Sequence, residues 1–298
     1  MQMNTLVTVN KKKKKYRPRW EAFKTVSKRL LKNKAAVVGG LIIIFFVFVA
    51  LAGPHLVKTD PLEHDLLNKL QPPSKEHWFG TDNFGRDIFS RIVHGTELTL
   101  LVGFSSVAVG GIIGVIIGIL AGYFGGWFDT ISMRIMDVLL AFPGILLALA
   151  IVSVLGGSIR NVILAVGLFS VPAFARIVRG STLQVKKLEY IDAVRALGAS
   201  DIRIIFKHIL PNIMSPIIVQ ATMRVATAIL TASGLAFLSL GAPPPTPEWG
   251  AMLNDGRSYM HSAEHMVLIP GIMIVIVVLA FNIFGDGLRD ALDPKMKQ

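Results

Sequence analysis

EYIDAVRALGASDIRIIFKHILPN, residues 189–212, is a charged stretch set between two long apolar runs. It carries Glu189, Asp192, Arg195, Asp201, Arg203, Lys207 and His208, with Gly198 near its middle. Tyr190 to Leu197 is a good helix-forming run. Gly198 allows a break there, because glycine is costly inside a helix and adopts turn conformations freely. Ser200 can cap a second helix beginning at Asp201, and Pro211 marks where that helix should end or bend. The stretch predicts two short helices at an angle, exposing Tyr190, Ala193, Val194 and Leu197 beside charges. Such a face suits the docking of another protein better than it suits a plain tether.

The surroundings of this stretch are membrane-like. The 298-residue chain is 52% hydrophobic, with a mean hydropathy of +0.58. Six apolar stretches reach or approach the ~20 residues that cross a ~30 Å hydrocarbon core. They cover about Ala35–Ala52, Leu98–Phe124, Val138–Leu155, Asn161–Val178, Ile213–Leu240 and Met266–Phe284. The expected fold class is an all-α integral membrane protein with six transmembrane helices. Pro143, Pro172, Pro216 and Pro270 fall inside or at the start of these spans, where neighbouring helices can satisfy the freed carbonyls. In the second span Gly110, Gly114, Gly118 and Gly122 recur at every fourth position, which lines one helix face for close approach of a neighbour.

Charge sets the orientation. The formal net charge is +12, and twelve of the 31 Lys and Arg precede residue 35, including the run Lys11–Lys15. In a soluble protein this run would suggest a nucleic-acid tail. Beside a span it reads instead as a positive-inside signal with some attraction to anionic membrane lipid, and no nucleic-acid partner is expected. Residues 1–34 are read as a cytoplasmic basic tail followed by an amphipathic helix over Trp20–Lys34, with Trp20, Phe23, Val26 and Leu30 at helical spacing. The first transmembrane helix is assigned to 35–53. Its 18-residue apolar core exceeds the ~7–15 of a signal peptide, so an uncleaved span is expected. Both termini and the 189–212 stretch then face the cytoplasm. Residues 54–97 form an extracytoplasmic loop with five basic and seven acidic residues, and 98–298 form the core domain.

Several activities are excluded by what the chain lacks. With no cysteine there is no disulfide, cysteine metal site or thiol catalysis. No Gly-Lys pair occurs, so there is no Walker A motif, and ATP must bind elsewhere. No His-Glu-x-x-His or nucleophile elbow appears, so a membrane hydrolase lacks its catalytic set. A self-sufficient secondary transporter or channel would call for intramembrane carboxylates or inverted repeats, and neither stands out.

At the opening stretch the chain resembles the permease subunits of ATP-binding-cassette importers. Their signature is Glu-Ala-Ala, three residues, Gly, nine residues, Ile, one residue, Leu-Pro. Asp192-Ala193-Val194, Gly198, His208 and Leu210-Pro211 occupy those places. Asp192 and Val194 depart from the general pattern, and His208 in place of Ile is typical of the dipeptide, oligopeptide and nickel branch. The resemblance covers about Trp20 to Pro294. It includes HWFGTDNFGRDIFSRIVHG (77–95), AFPGILLALA (141–150), ARIVRGSTL (175–183) and LGAPPPTPEWGAML (240–253). One departure is Ala232, where many relatives carry Glu.

The resemblance implies a type I importer transmembrane domain in a prokaryotic plasma (inner) membrane. About 185–211 would be the coupling segment, which fits a cleft on a cytoplasmic ATPase subunit. Glu189, Tyr190, Asp192, Ala193, Arg195, Gly198 and Ala199 are its expected contact and hinge positions. The implied partners are a paralogous permease, two ATP-binding subunits and an extracytoplasmic substrate-binding protein. ATP and Mg would sit on the partner ATPases, with no cofactor on this chain. Peptides are the favoured solute, with nickel or another metal complex as the alternative.

Three further candidates lie outside that segment. TDNFGRD (81–87) is acidic and glycine-bearing, but Phe84 sits where an EF-hand loop needs an oxygen ligand. Asp82, Gly85, Arg86 and Asp87 are therefore read as a structured turn, and the resemblance implies a part in receiving solute from the binding protein. His261 and His265 are weak metal candidates, because a helix would align residues four apart. Arg224 lies inside the fifth span, where a charge is expensive. It either lines the solute path and meets a peptide carboxylate, or pairs with an acidic residue or backbone carbonyl in this subunit or its partner.

Overall fold

The structure is a computed structural model that describes residues 19–292, with side chains from Lys24 onward. The basic run Lys11–Lys15 and residues 293–298 lie outside the described residues, as do the side chains of Trp20 and Phe23. The described residues are helical and form no sheet; one isolated bridge pairs Thr81 with Asp87.

Helix α1 (Arg19–Lys32) gives way to α2 (Lys34–Leu56) at Asn33, whose side-chain oxygen accepts the Ala36 N–H at 3.2 Å. Ile44, Phe45, Phe48 and Leu51 of α2 are exposed, as suits a lipid-facing helix, while small residues turn inward. Helix α3 spans Ile88–Phe124 and starts at Ile88 rather than at Leu98. Its first turns contain Ser90, Arg91 and Thr96, all buried, and their polarity made this part read as loop. Asp87 caps it, accepting the Ser90 N–H at 2.7 Å.

The third span is not one bent rod. Helices α4 (Gly126–Ala141) and α5 (Gly144–Leu155) meet at 92°. Pro143 has no N–H to give and forces Phe142 out of helical geometry (ψ 136°), so both breaks fall at one place. The sequence reading began this span at Val138, because α4 carries Asp129, Arg134 and Asp137. Two of these charges are met by the next helix, α6 (Ile159–Lys186): Arg179 grips Asp129 through both nitrogens, and Arg176 pairs with Asp137. Asn161 of α6 donates to the carbonyls of Leu155 and Gly156, both at 2.9 Å, closing the end of α5.

After α6 come α7 (Glu189–Ala196), α8 (Asp201–Ile204), a π turn over Ile205–Ile209 and α9 (Leu210–Phe237). Helix α10 (Trp249–Gly256) follows in the loop between the fifth and sixth spans, and α11 (His265–Leu292) ends the described chain. Five helices are long and apolar enough to cross a membrane, and the bent pair α4–α5 supplies the sixth crossing when counted as one span.

The most extensive contact joins α3 to α6, and the glycine track explains it. A Cβ on Gly110 would lie 2.3 Å from the Gly167 carbonyl oxygen, and one on Gly114 2.5 Å from Phe174 Cβ. Gly118 meets the Ala175 oxygen at 2.6 Å and Gly122 meets Thr182 Cβ at 2.8 Å. Each step of four on α3 is matched by a step of four on α6, so the two helices run parallel with backbones in contact. Helices α2 and α11 pack by the same device at Gly39 against Ala280 and at Gly287 against Ala36.

Candidate coupling interface

The segment that leaves α6 is held to the membrane helices by very little. Leu188 precedes α7, and the first turn of α7 places Glu189 and Asp192 near its positive end with Arg195 near its negative end. Of its side chains only Ile191 is fully buried, at 0% exposure. It sits among Ile119, Tyr123, Val178, Ile204, Ile205, Ile209 and Ile213. Glu189, Tyr190, Asp192, Ala193, Arg195 and Gly198 are exposed, and Ala199 is half-buried. Leu197 is 88% exposed and Ile202 71%, so α7 and α8 present apolar side chains among charges on one outward face. Isolated surface apolar residues need no explanation, but this group lies beside mixed charge on two ordered short helices.

Gly198 has φ +83°, and a Cβ there would meet nothing within 4 Å. Its glycine is required by the backbone angle alone, not by space. Helix α8 begins at Asp201 as expected, yet the Ser200 side chain makes no capping bond. The second helix also does not end at Pro211. Residues 201–237 are one continuous helical rod, because the π turn lets Leu210 N–H reach back to Ile205 and so accommodates a proline without an N–H. The α7–α8 face is thus joined directly to the fifth span. Asn212 reinforces the join, donating to the His208 carbonyl at 2.6 Å and to the Tyr190 hydroxyl oxygen at 3.1 Å.

Above this face a cleft of about 710 Å³ opens between the ends of α6, α9 and α11. Ser181, Gln184, Asn212, Ser215, Gln220 and Arg289 place polar groups in a lining that is otherwise apolar, with Ile213, Val219 and Leu292 among it. Arg224 is one turn beyond Gln220 on α9, half-buried, with its guanidinium 5.8 Å from the centre of the Phe169 ring. Among the described residues no carboxylate or carbonyl hydrogen-bonds Arg224, and the contact with the Phe169 ring carried no mark in the sequence.

Across the molecule, the 81–87 motif is a closed clamp. Asp82 accepts the N–H groups of Phe84 (2.8 Å) and Arg86 (3.0 Å) and the Arg86 Nε at 2.6 Å. Arg86 and Arg91, each almost fully buried, both reach Asp255 at the end of α10. His77 lies 3.0 Å from Asp87, and Gly85 sits against the Asp65 carbonyl. Burial pushes the Asp255 carboxyl up, and Arg91 and Arg86 pull it back. The arrangement welds the external loop to the start of α3 and to α10. His261 and His265 do not share a helix: α11 begins at His265, which bonds the Thr81 carbonyl at 3.1 Å instead. Among the described residues no three His, Asp or Glu side chains converge as metal ligands.

Residues 114–298 match the family described as binding-protein-dependent transport system inner membrane component. The chain belongs to that family. Residues 22–73 of the permease match the N-terminal transmembrane domain of oligopeptide transport permease C. The permease is 52% identical over 277 residues to the dipeptide transport system permease protein DppC of Alkalihalophilus pseudofirmus, covering 93% of this chain and 90% of that one. It is 50% identical over 287 residues to the glutathione transport system permease protein GsiD of Pectobacterium atrosepticum, covering 95% and 94%. An inward-facing MetNI methionine ABC transporter chain superposes with TM-score 0.55 at 21% identity, over 69% of the permease and 98% of that chain. An amino acid ABC transporter solved with histidines gives 0.54 at 14% identity, over 68% and 95%. The fold is that of a type I importer transmembrane domain, and the chain is a multi-pass permease subunit of an ABC importer.

Proposed function

We propose that this permease forms half of a pore for ATP-driven uptake of di- and oligopeptides, and that α7 and the Gly198 turn are the part a cytoplasmic ATPase subunit grips. One observation carries the reading. The two short helices are exposed, anchored by Ile191, and continuous with the fifth span through α8. A displacement applied there passes into a 37-residue rod, whereas a flexible loop would absorb it. Both termini lie on the cytoplasmic side, in keeping with the basic N-terminal region.

The peptide assignment is supported by the dipeptide and glutathione permeases named above. The cleft between α6, α9 and α11, with its six polar side chains, is the inner part of the solute path. Arg224 continues its polar stripe along α9, where it meets a peptide carboxylate. A paralogous permease, two ATP-binding subunits carrying ATP and Mg, and an extracytoplasmic binding protein complete the machine.

The test is uptake into vesicles holding the copurified complex. It should need ATP and the binding protein, and transport by this chain alone would end the reading. For Arg224, free and C-terminally amidated dipeptides are compared in wild type and Arg224→Gln. Equal loss for both would remove the carboxylate role.

A further inference from the structure

Between Gly122, packed against Thr182, and the loop that opens α4 stands Tyr123, only 3% exposed, in the last turn of α3. Its hydroxyl donates to Asp201 Oδ1 at 2.5 Å, and the Tyr123 hydroxyl oxygen in turn accepts from the Arg195 guanidinium at 3.4 Å. Its carbonyl accepts the Lys186 ammonium at the end of α6. One residue thus touches the end of α6, the end of α7 and the start of α8. Asn212 also ties α7 to the rod, through Tyr190 near the start of α7 at 3.1 Å, so the Tyr123 hydroxyl is the tie that lies beside the Gly198 turn. The turn itself has open space around it.

We infer that Tyr123 is a positioning residue that locks the Gly198 hinge, so that α7 and α8 move as one body with the α3–α6 pair. The anchor is rigid because Gly122 and Gly118 bring α3 into backbone contact with α6 immediately before it. The link is also directional: a hydroxyl bonded to a carboxylate on one side and a guanidinium on the other fixes the angle between the two helices. Without the hydroxyl, the start of α7 keeps its Ile191 and Tyr190–Asn212 contacts, but its end beside Gly198 is free to swing, and force applied to its outer face is lost in that swing. This inference rests on the reading of α7 as the ATPase contact.

The chain has no cysteine, so introduced pairs are unique reporters. Spin labels at Leu197→Cys and Ile112→Cys, both exposed positions, report the distance between the turn and α3 in the full importer complex. Tyr123→Phe keeps the ring in its apolar cluster and removes only the hydroxyl bonds. We expect one narrow distance in the parent and a broadened distribution in Tyr123→Phe. We also expect dialanine uptake per ATP to fall about tenfold, while ATP hydrolysis and subunit stoichiometry stay near the parent values. A defect in folding alone would lower assembly and hydrolysis together and leave that ratio unmoved.

Asp201→Ala removes the same bond from an exposed residue and should reproduce both changes if Tyr123→Phe assembles poorly. The double variant should be no worse than either single change. An unchanged distance distribution in Tyr123→Phe and Asp201→Ala overturns the inference, whatever solute is carried. Failure of the coupling reading has a separate signature: Ala193→Cys would stay open to alkylation in the assembled, ATP-hydrolysing complex, and the inference would fall with it.

Discussion

Gly110 of α3 and Gly167 of α6 face each other so closely that a Cβ on the first would stand 2.3 Å from the carbonyl oxygen of the second. Backbone cannot yield as a side chain can, so this contact sets how near the two longest-packed helices lie. A Cβ on Gly111, next in sequence, would lie 3.5 Å from Phe174 Cζ, an ordinary van der Waals contact. Gly110→Ala should therefore destabilise the permease by about 1–3 kcal/mol. Gly111→Ala should stay within about 0.5 kcal/mol. Thermal unfolding of the two variants in detergent checks the contrast, and equal behaviour would contradict the packing account.

The Gly198 turn makes a different kind of demand. With φ +83° and no neighbour, an alanine costs about 1–2 kcal/mol of local strain, and a valine costs more because its β-branch crowds its own backbone at that angle. Gly198→Ala and Gly198→Val should both lower uptake per ATP with normal expression. Gly198→Asn, which tolerates the left-handed region, should be milder. Undiminished uptake by Gly198→Val would count against the hinge.

The external clamp should be far more sensitive than the exposed ion pair of the α4–α6 contact. Arg86→Ala removes the nearer of the two cations that meet buried Asp82, leaving Arg91 at 3.6 Å, at a cost of about 1.5–3 kcal/mol. Arg176→Ala, which breaks a pair half open to the surroundings, should cost no more than about 1 kcal/mol. Limited proteolysis of the 57–87 loop reads the first loss directly.

Glu248 gives the extracytoplasmic layer a pH dependence. It caps α10, accepting the Ala251 N–H at 2.8 Å, and is almost fully buried. Burial pushes its carboxyl up, and the N–H groups of Gly250 and Ala251 hold it back. With the folded value above the unfolded one, its stabilising contribution is complete below the unfolded pKa and lost as pH rises through the folded one. Glu248→Gln keeps the acceptor and removes the charge. It should raise the unfolding temperature at about pH 8 and change it little at about pH 4. A loss at both would show that ionisation there costs nothing.

Most of the fold was legible because span length and glycine spacing are local signals. Every apolar stretch became helix, and the four glycines of α3 found their partner face on α6. What the sequence hid depends on distant partners. The beginning of α3 looked like loop because Arg91 is polar, and it is helical because Asp82, Asp255 and the Pro61 and Pro245 carbonyls receive it. Helix α4 looked polar until Arg179 and Arg176 met its carboxylates. The two short helices and the turn between them were readable from Gly198 and its neighbours, but Tyr123, Lys186 and Asn212 carry no local mark. Tyr123 reaches Asp201 across 78 positions. The π turn at Pro211 was hidden as well, since a proline reads as a stop unless the preceding turn widens.

The coupling role is tested most directly by the reactivity of a single cysteine. Ala193→Cys on α7 should react freely with a maleimide in the isolated permease and be protected once the ATP-binding subunits are assembled on it. Full reactivity in an assembled complex that hydrolyses ATP would mean that this face is not the one the ATPase holds.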